Sequence, residues 1–281
     1  FTYERKIGVI TDLSTQELTN TASMQAKVIA QQLEGVAHFT RVYATETGRA
    51  LGQPSQVDDN EKSRYAYSPE GMFYTTRDNG GSAVYYSGIT KIGDREREKV
   101  WRSVRLDPLM KSIKEASPLI AQIYFNTNDS YNRIYPYFDV LPVYPPRMDI
   151  PSYNFYYEAD AKHNPERKAV WTDAYVDPAG SGWMVSSIAP VYDGDSLEAV
   201  AGIDVTIMSG GGTGTYDIEP EFAAITELQA GSYCVMDREY LALYGPAGSG
   251  PDVNPALFVD VTVISANHQG YVTTDGGFKS F

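Results

Sequence analysis

WTDAYVDPAGSGWMVSSIAPVYDGDSLEAVAGIDVTI, residues 171–207, decides the fold. Turn chemistry divides it at DPAGSG (177–182) and DGDS (193–196), and the pieces between are rich in Val, Ile, Trp and Tyr, residues that fit a pleated, half-buried surface. Three consecutive antiparallel strands are expected. In the third, side chains alternate with period two, so Ala199, Ala201, Ile203 and Val205 share one face and Val200, Gly202, Asp204 and Thr206 the other. The first face packs; the second carries a small residue, an acid and a hydroxyl. Antiparallel sheets often leave one side wet, so this second face reads either as solvated or as the floor of a ligand site around Asp204.

Upstream, Ser14 and Glu17 fit a capping box, and Leu18, Ala22, Ile29, Leu33 and Val36 recur at helical spacing, which predicts a long amphipathic helix from Ser14 to about Thr45. AYSPEGMFYTTR and GSAVYYSGIT read as two strands joined by Asp78-Asn79-Gly80-Gly81, a hairpin signal. GDREREKVWRSVR is a solvated charged face, and Asp107-Pro108 opens a short helix ending near Ser117-Pro118. LIAQIYF and YNRIYPYF flank Asn126 to Ser130 as a second hairpin, and the proline-rich LPVYPPRMDIPSYNFYY is a long irregular segment of the kind that covers a site. After the meander, SGGGTGT breaks the composition. Beyond it DIEPEFAAITELQ reads as a helix, followed by strands at SYCVMDREYLALYGP, LFVDVTVIS and GYVTT.

The chain has 281 residues, 42% of them hydrophobic, enough for one large core or two smaller ones. A net charge of -13 lacks the electrostatic footprint of a nucleic-acid binder. No run approaches the roughly 18 apolar residues that span a bilayer. The single cysteine, Cys234, excludes an internal disulfide and reads as a small core residue. A chain that opens on Phe1 and closes at Phe281 soon after a strand is expected to be an excised piece of a longer protein.

Catalytic patterns are poor. His38, His163 and His268 have no metal-site spacing, Ser186 and Ser187 lie in a strand rather than a GxSxG elbow, and Asp193 and Asp195 flank a hairpin glycine without the rest of a calcium loop. No cofactor and no metal are expected. The run Gly210 to Gly214 follows a strand and precedes a helix, the context in which backbone amides cradle phosphates; it reads as a connector, with nucleotide binding as the minor alternative. Tyrosine is the outlier, 22 Tyr against 10 Phe, concentrated between Tyr124 and Tyr175. Phenols supply apolar walls with a hydrogen-bonding tip and so suit a pocket for a small polar solute.

The order of these elements resembles the double-Cache (dCache) sensor modules of bacterial and archaeal chemoreceptors and histidine kinases, with the W-TDAYVDPAGSGW-MVSSIAPVYDG and VAGIDVTI blocks as its specific part. The resemblance implies an α+β fold, a long N-terminal helix plus two tandem PAS-like units with antiparallel sheets. Its divisions would be a helical spine at 1–52, a membrane-distal ligand-binding unit at 53–209, and a smaller proximal unit at 210–281 that leans on the first or lacks its final strand. It implies a non-enzymatic, extracytoplasmic sensor of a membrane receptor, attached through transmembrane helices outside this chain, with the N-terminal helix as a homodimer contact. A free periplasmic solute-binding protein is the alternative, and a nucleotide-binding enzyme using the GGGTGT loop a further one.

The family geometry would gather Tyr153, Phe155, Tyr156, Trp171, Tyr175 and Asp204 around one cavity, with Arg147 and Asp149 contributed by the covering loop. The amino-acid-binding branch carries an Arg-x-aromatic-aromatic motif there, its arginine holding the ligand carboxylate and a strand aspartate the amine. Here the run is Tyr153-Asn154-Phe155-Tyr156, without the arginine and with the aspartate, Asp204, retained. Loss of that bidentate clamp points away from ordinary α-amino acids and toward an amine, with an amino-acid-like solute or a small organic acid if Arg147 turns inward.

Overall fold

The structure is a computed structural model. It describes the backbone at 2–206, 209–210, 227–228, 263–268 and 271–274, and side chains at 24 and 27–206. Contacts divide the chain into a unit of 22–209 with 223–227, and a second unit of 1–21, 210–222 and 228–281. In the second, Val263–His268 and Tyr271–Thr274 pair as an antiparallel hairpin. The expectations for the helix and strand pair at 217–247, Cys234 and the glycine run 210–214 fall almost wholly outside the described residues. Within that stretch Glu227–Leu228, expected helical, is extended.

Helix α1, Thr2–Gly52, runs past both expected ends, so Ser14 lies inside the helix rather than capping it. Among the described residues four further helices follow, α2 (Asp59–Lys62), α3 (Asp94–Ser103), α4 (Asp107–Ala116) and α5 (Asn154–Tyr157). The strands of the larger unit are β1 (Tyr65–Tyr67), β2 (Phe73–Thr75), β3 (Ala83–Tyr86), β4 (Ile120–Thr127), β5 (Tyr131–Tyr135), β6 (Val170–Trp171), β7 (Tyr175–Val176), β8 (Trp183–Asp193) and β9 (Ser196–Thr206). They form one antiparallel sheet in the order β1-β2-β3-β5-β4-β9-β8-β6, with β7 also paired to β8. The first expected strand of the meander is thus two short ones, because the chain leaves the sheet at 172–174 and returns at Tyr175. β8 and β9 turn at Asp193-Gly194-Asp195, where Gly194 takes φ 60, a left-handed conformation that suits glycine.

Both faces of the sheet are covered. On one, Val36, Tyr43 and Ala50 of α1, Val100 of α3, and Met110 and Ile113 of α4 pack against Ala199, Ala201, Ile203 and Val205 of β9. Among the described side chains of α1 packing starts near Leu33, and Ile29, expected on the apolar face, is exposed. Arg133 is fully buried at the edge of this layer, paired with Asp107 at 2.9 Å and donating to Ser82 Oγ, Ser103 Oγ and the Val100 carbonyl. That charge ties β5 to the start of β3 and to α3 and α4. On the other face the irregular segment from Pro136 through α5 lies over β3, β4 and β5, burying Tyr144, Met148, Ile150, Phe155 and Tyr156. Among the described residues no helix is long and apolar enough to cross a membrane.

Candidate functional site

The alternation expected in β9 is the one observed: Asp204 lies on the face opposite Ile203, and only 1% of it is exposed. It is not solvated. Its cross-strand neighbours are Ser186 of β8 and Gln122 of β4. Oδ1 accepts from Ser186 Oγ at 2.6 Å and from the Tyr175 hydroxyl at 3.2 Å, and Oδ2 accepts from Gln122 Nε2 at 2.7 Å. The same Gln122 nitrogen donates to Asp177 Oδ2 at 3.1 Å, so one carboxamide bridges two carboxylates. Asp177, also buried, is held by the backbone amides of Ala179 and Ser181 within the DPAGSG turn.

Asp204, Asp177, Gln122 and Tyr175 line a cavity of about 20 Å³ with Tyr124, Asn126, Asn132, Tyr144, Met148 and Phe155. Such a volume holds about one water, too little for a solute. Among the described residues neither aspartate has a cationic partner, and no Lys, Arg or His lines the cavity. Burial pushes the Asp204 carboxyl up to about 7, and Asp177 adds to the shift, against the lowering effect of the Ser186 and Gln122 hydrogen bonds. Burial likewise raises the Tyr124, Tyr144 and Tyr175 phenols, with Asp204 contributing to each. Two polar atoms of the lining are buried without a partner, the Tyr124 hydroxyl and Asn132 Oδ1. Orphans of this kind are uncommon in folded interiors, where an unmade hydrogen bond costs about 1–3 kcal/mol.

Gly202 shapes the floor. A methyl group there would overlap the Tyr124 ring, its cross-strand partner, so only glycine lets that ring lie flat across β9. Phe155, on the single turn of α5, meets Tyr124 edge-on at 6.1 Å and Tyr175 at 5.3 Å. Asn154 fixes that turn by donating to the Asp173 carbonyl at 3.1 Å.

Of the residues expected at the site, Phe155, Tyr175 and Asp204 line the cavity. Tyr153 stands behind it, stacked on Phe155 at 5.1 Å. Tyr156 is buried in the same apolar layer but is not part of the lining. Trp171 packs on the opposite face with Ala201 and Ile203, because its partner in β8 is Ser187 rather than Ser186. Arg147 and Asp149 are exposed, and Arg147 donates to the Gly88 carbonyl at 3.0 Å instead of turning inward. Sequence reasoning missed Asp177, Gln122, Asn126 and Asn132, and read Tyr124 only as one of the tyrosines that suit a pocket. The signal for three of these was the alternation Gln122, Tyr124, Asn126 along β4, a polar face within an otherwise apolar strand.

No family model matches the chain. Among curated proteins it is similar to 3-hydroxy-D-aspartate aldolase of Paracoccus denitrificans (strain Pd 1222), 35% identical over 99 residues, which are 34% of this chain and 25% of that protein. A D-threonine aldolase of an Arthrobacter species is 40% identical over 81 residues, 28% of this chain and 21% of that protein. The chain thus spans about a quarter or less of the length of these relatives. Among solved structures it is similar to ligand-binding domains of amino-acid chemoreceptors. PctB of Pseudomonas aeruginosa PAO1, in complex with L-Arg, is 16% identical with a TM-score of 0.35, covering 63% of this chain and 50% of that one. PctC of the same organism, in complex with GABA, is 17% identical with a TM-score of 0.36, covering 66% and 60%. The sensory domain of Campylobacter jejuni Tlp3 with isoleucine bound is 15% identical with a TM-score of 0.39, covering 73% and 60%. The chain therefore spans half to three fifths of those structures.

Proposed function

We propose that the larger unit is the solute-binding part of a dCache-type sensor, that it belongs to an extracytoplasmic receptor, and that it binds an amine. The observation that carries the reading is the pair of buried carboxylates, Asp177 and Asp204, bridged by Gln122 and lacking any cation in the cavity they line. An ammonium seated between them supplies the missing positive charge and donors for their remaining lone pairs. The walls of Phe155, Tyr124 and Tyr175 suit its apolar portion, and their faces attract a cation. An α-amino acid would bury its carboxylate with no charge to meet it. As a sensor, the unit would couple binding to movement of the covering segment, since a cavity of about 20 Å³ has to open to admit any solute.

The test is a thermal-shift screen at pH 8 with alkylamines, amino acids and carboxylates. Amines are expected to raise the melting temperature and Asp204→Asn to abolish the effect; stabilisation by carboxylates alone would sink the proposal.

A second reading is favoured by the aldolase similarities, which exceed the identity to any of the receptor structures above. Part of the chain would then derive from an enzyme that cleaves β-hydroxy amino acids. Release of glycine and an aldehyde from 3-hydroxy-D-aspartate or D-threonine by the full chain would establish it.

A further inference from the structure

The two ends of the cavity differ. Gln122, Tyr124 and Asn126 follow one another on the same face of β4, so the floor extends along that strand for about 13 Å, four residues at roughly 3.3 Å each. At the Gln122 end stand the carboxylates of Asp177 and Asp204. At the Asn126 end stands a carboxamide pair, in which Asn132 Nδ2 donates to Asn126 Oδ1 at 2.8 Å. That bond leaves Asn132 Oδ1, a buried acceptor, without a donor. Between the ends, Gly202 keeps the Tyr124 ring down against β9, and Ile134, Tyr144, Met148 and Ile150 make the walls apolar. The site therefore presents negative charge, an apolar passage and a neutral acceptor in sequence.

We infer that the site reads both ends of an elongated solute: an alkyl ammonium at Asp177 and Asp204 and, at the far end, a second hydrogen-bond donor on Asn132 Oδ1, as in a short α,ω-diamine or amino alcohol. The inference rests on the amine reading above and sharpens it. Over a floor of that length a short chain of about four or five methylenes is the expected bridge, with a hydrogen bond at each end. A terminal carboxylate is disfavoured, since no Lys, Arg or His lines the cavity to meet its charge. A terminal methyl leaves Asn132 Oδ1 buried and unpaired.

Calorimetric titration of the full chain at pH 8 with n-butylamine, 1,4-diaminobutane, 4-aminobutan-1-ol and 4-aminobutanoate tests this. The diamine and the amino alcohol are expected to bind about tenfold more tightly than n-butylamine, the scale of one buried hydrogen bond made or left unmade. Aminobutanoate is expected to bind most weakly. Among α,ω-diamines, affinity should peak at a chain of four or five methylenes. Asn132→Leu should abolish the preference for the diamine and the amino alcohol over n-butylamine, all three measured on that variant. Should that variant fail to fold, Asn132→Asp keeps the shape and adds a charge, and is expected to favour the diamine over the amino alcohol. Equal binding of n-butylamine and the two bifunctional amines overturns the inference and leaves the amine reading standing; absence of binding by every amine overturns both.

Discussion

Asp204 carries a stability cost, which on the proposed function a bound ammonium would offset. A carboxylate whose folded-state pKa lies near 7, against an ordinary value near 4, is disfavoured in its charged form by the fold. Between those values the folded protein holds a proton that the unfolded chain releases, so stability of the ligand-free protein falls as pH rises from about 4 to about 7. The full cost above that window is on the order of 4 kcal/mol. Asp204→Asn is isosteric and neutral, so its melting temperature should exceed that of the parent at pH 8 and match it near pH 4. Thermal denaturation across that range checks the sign. Asp204 was legible in the sequence because it interrupts the apolar alternation of β9. Asp177 was not, because DPAGSG reads as turn chemistry, and only the tertiary fold brings that turn against Gln122. Trp171 was expected at the site from the family resemblance; nothing in the sequence fixes which residue of β8 it faces, and one step of register moves a side chain to the other side of the sheet.

Among the elements, β9 and β4 act as a matched pair. Glycine in a strand interior usually weakens it, yet Gly202 lies at the centre of the sheet because Tyr124 occupies the space its side chain would take. Gly202→Ala is expected to destabilise the fold by about 1–3 kcal/mol, the range for overpacking a core. It should also lift the ring into the floor and reduce amine binding beyond what the stability loss accounts for; denaturant melts and titration of the folded variant separate the two effects. The hairpins at Asp78 to Gly81 and at Asn126 to Ser130 were legible from turn chemistry. The extent of α1 was not, since a capping-box sequence inside a helix carries the same letters as one at its start. Nor did the sequence show that AYSPEGMFYTTR divides into β1 and β2 about Ser68-Pro69, where Ser68 Oγ accepts from the amides of Glu70 and Met72 and closes a turn.

On the scale of the molecule, the larger unit holds its own core on both faces of one sheet, so residues 22–209 are expected to fold cooperatively alone and to keep the amine response; calorimetry of that fragment decides it. Its packing depends on Arg133, whose removal strands Asp107. Arg133→Ala should cost about 3–5 kcal/mol, read as a shift in the denaturant midpoint, as expected when one partner of a buried ion pair is deleted. The carboxylate pair has one more consequence. An alkylamine stays protonated up to about pH 10, whereas Asp204 gives up its proton only near 7. Below 7 the proton and the ammonium compete for one seat, and apparent affinity drops about tenfold per pH unit. On the proposed function, such a site would answer to the conjunction of two conditions, amine present and acid absent, and would respond less to the same solute at the same concentration in acidic surroundings.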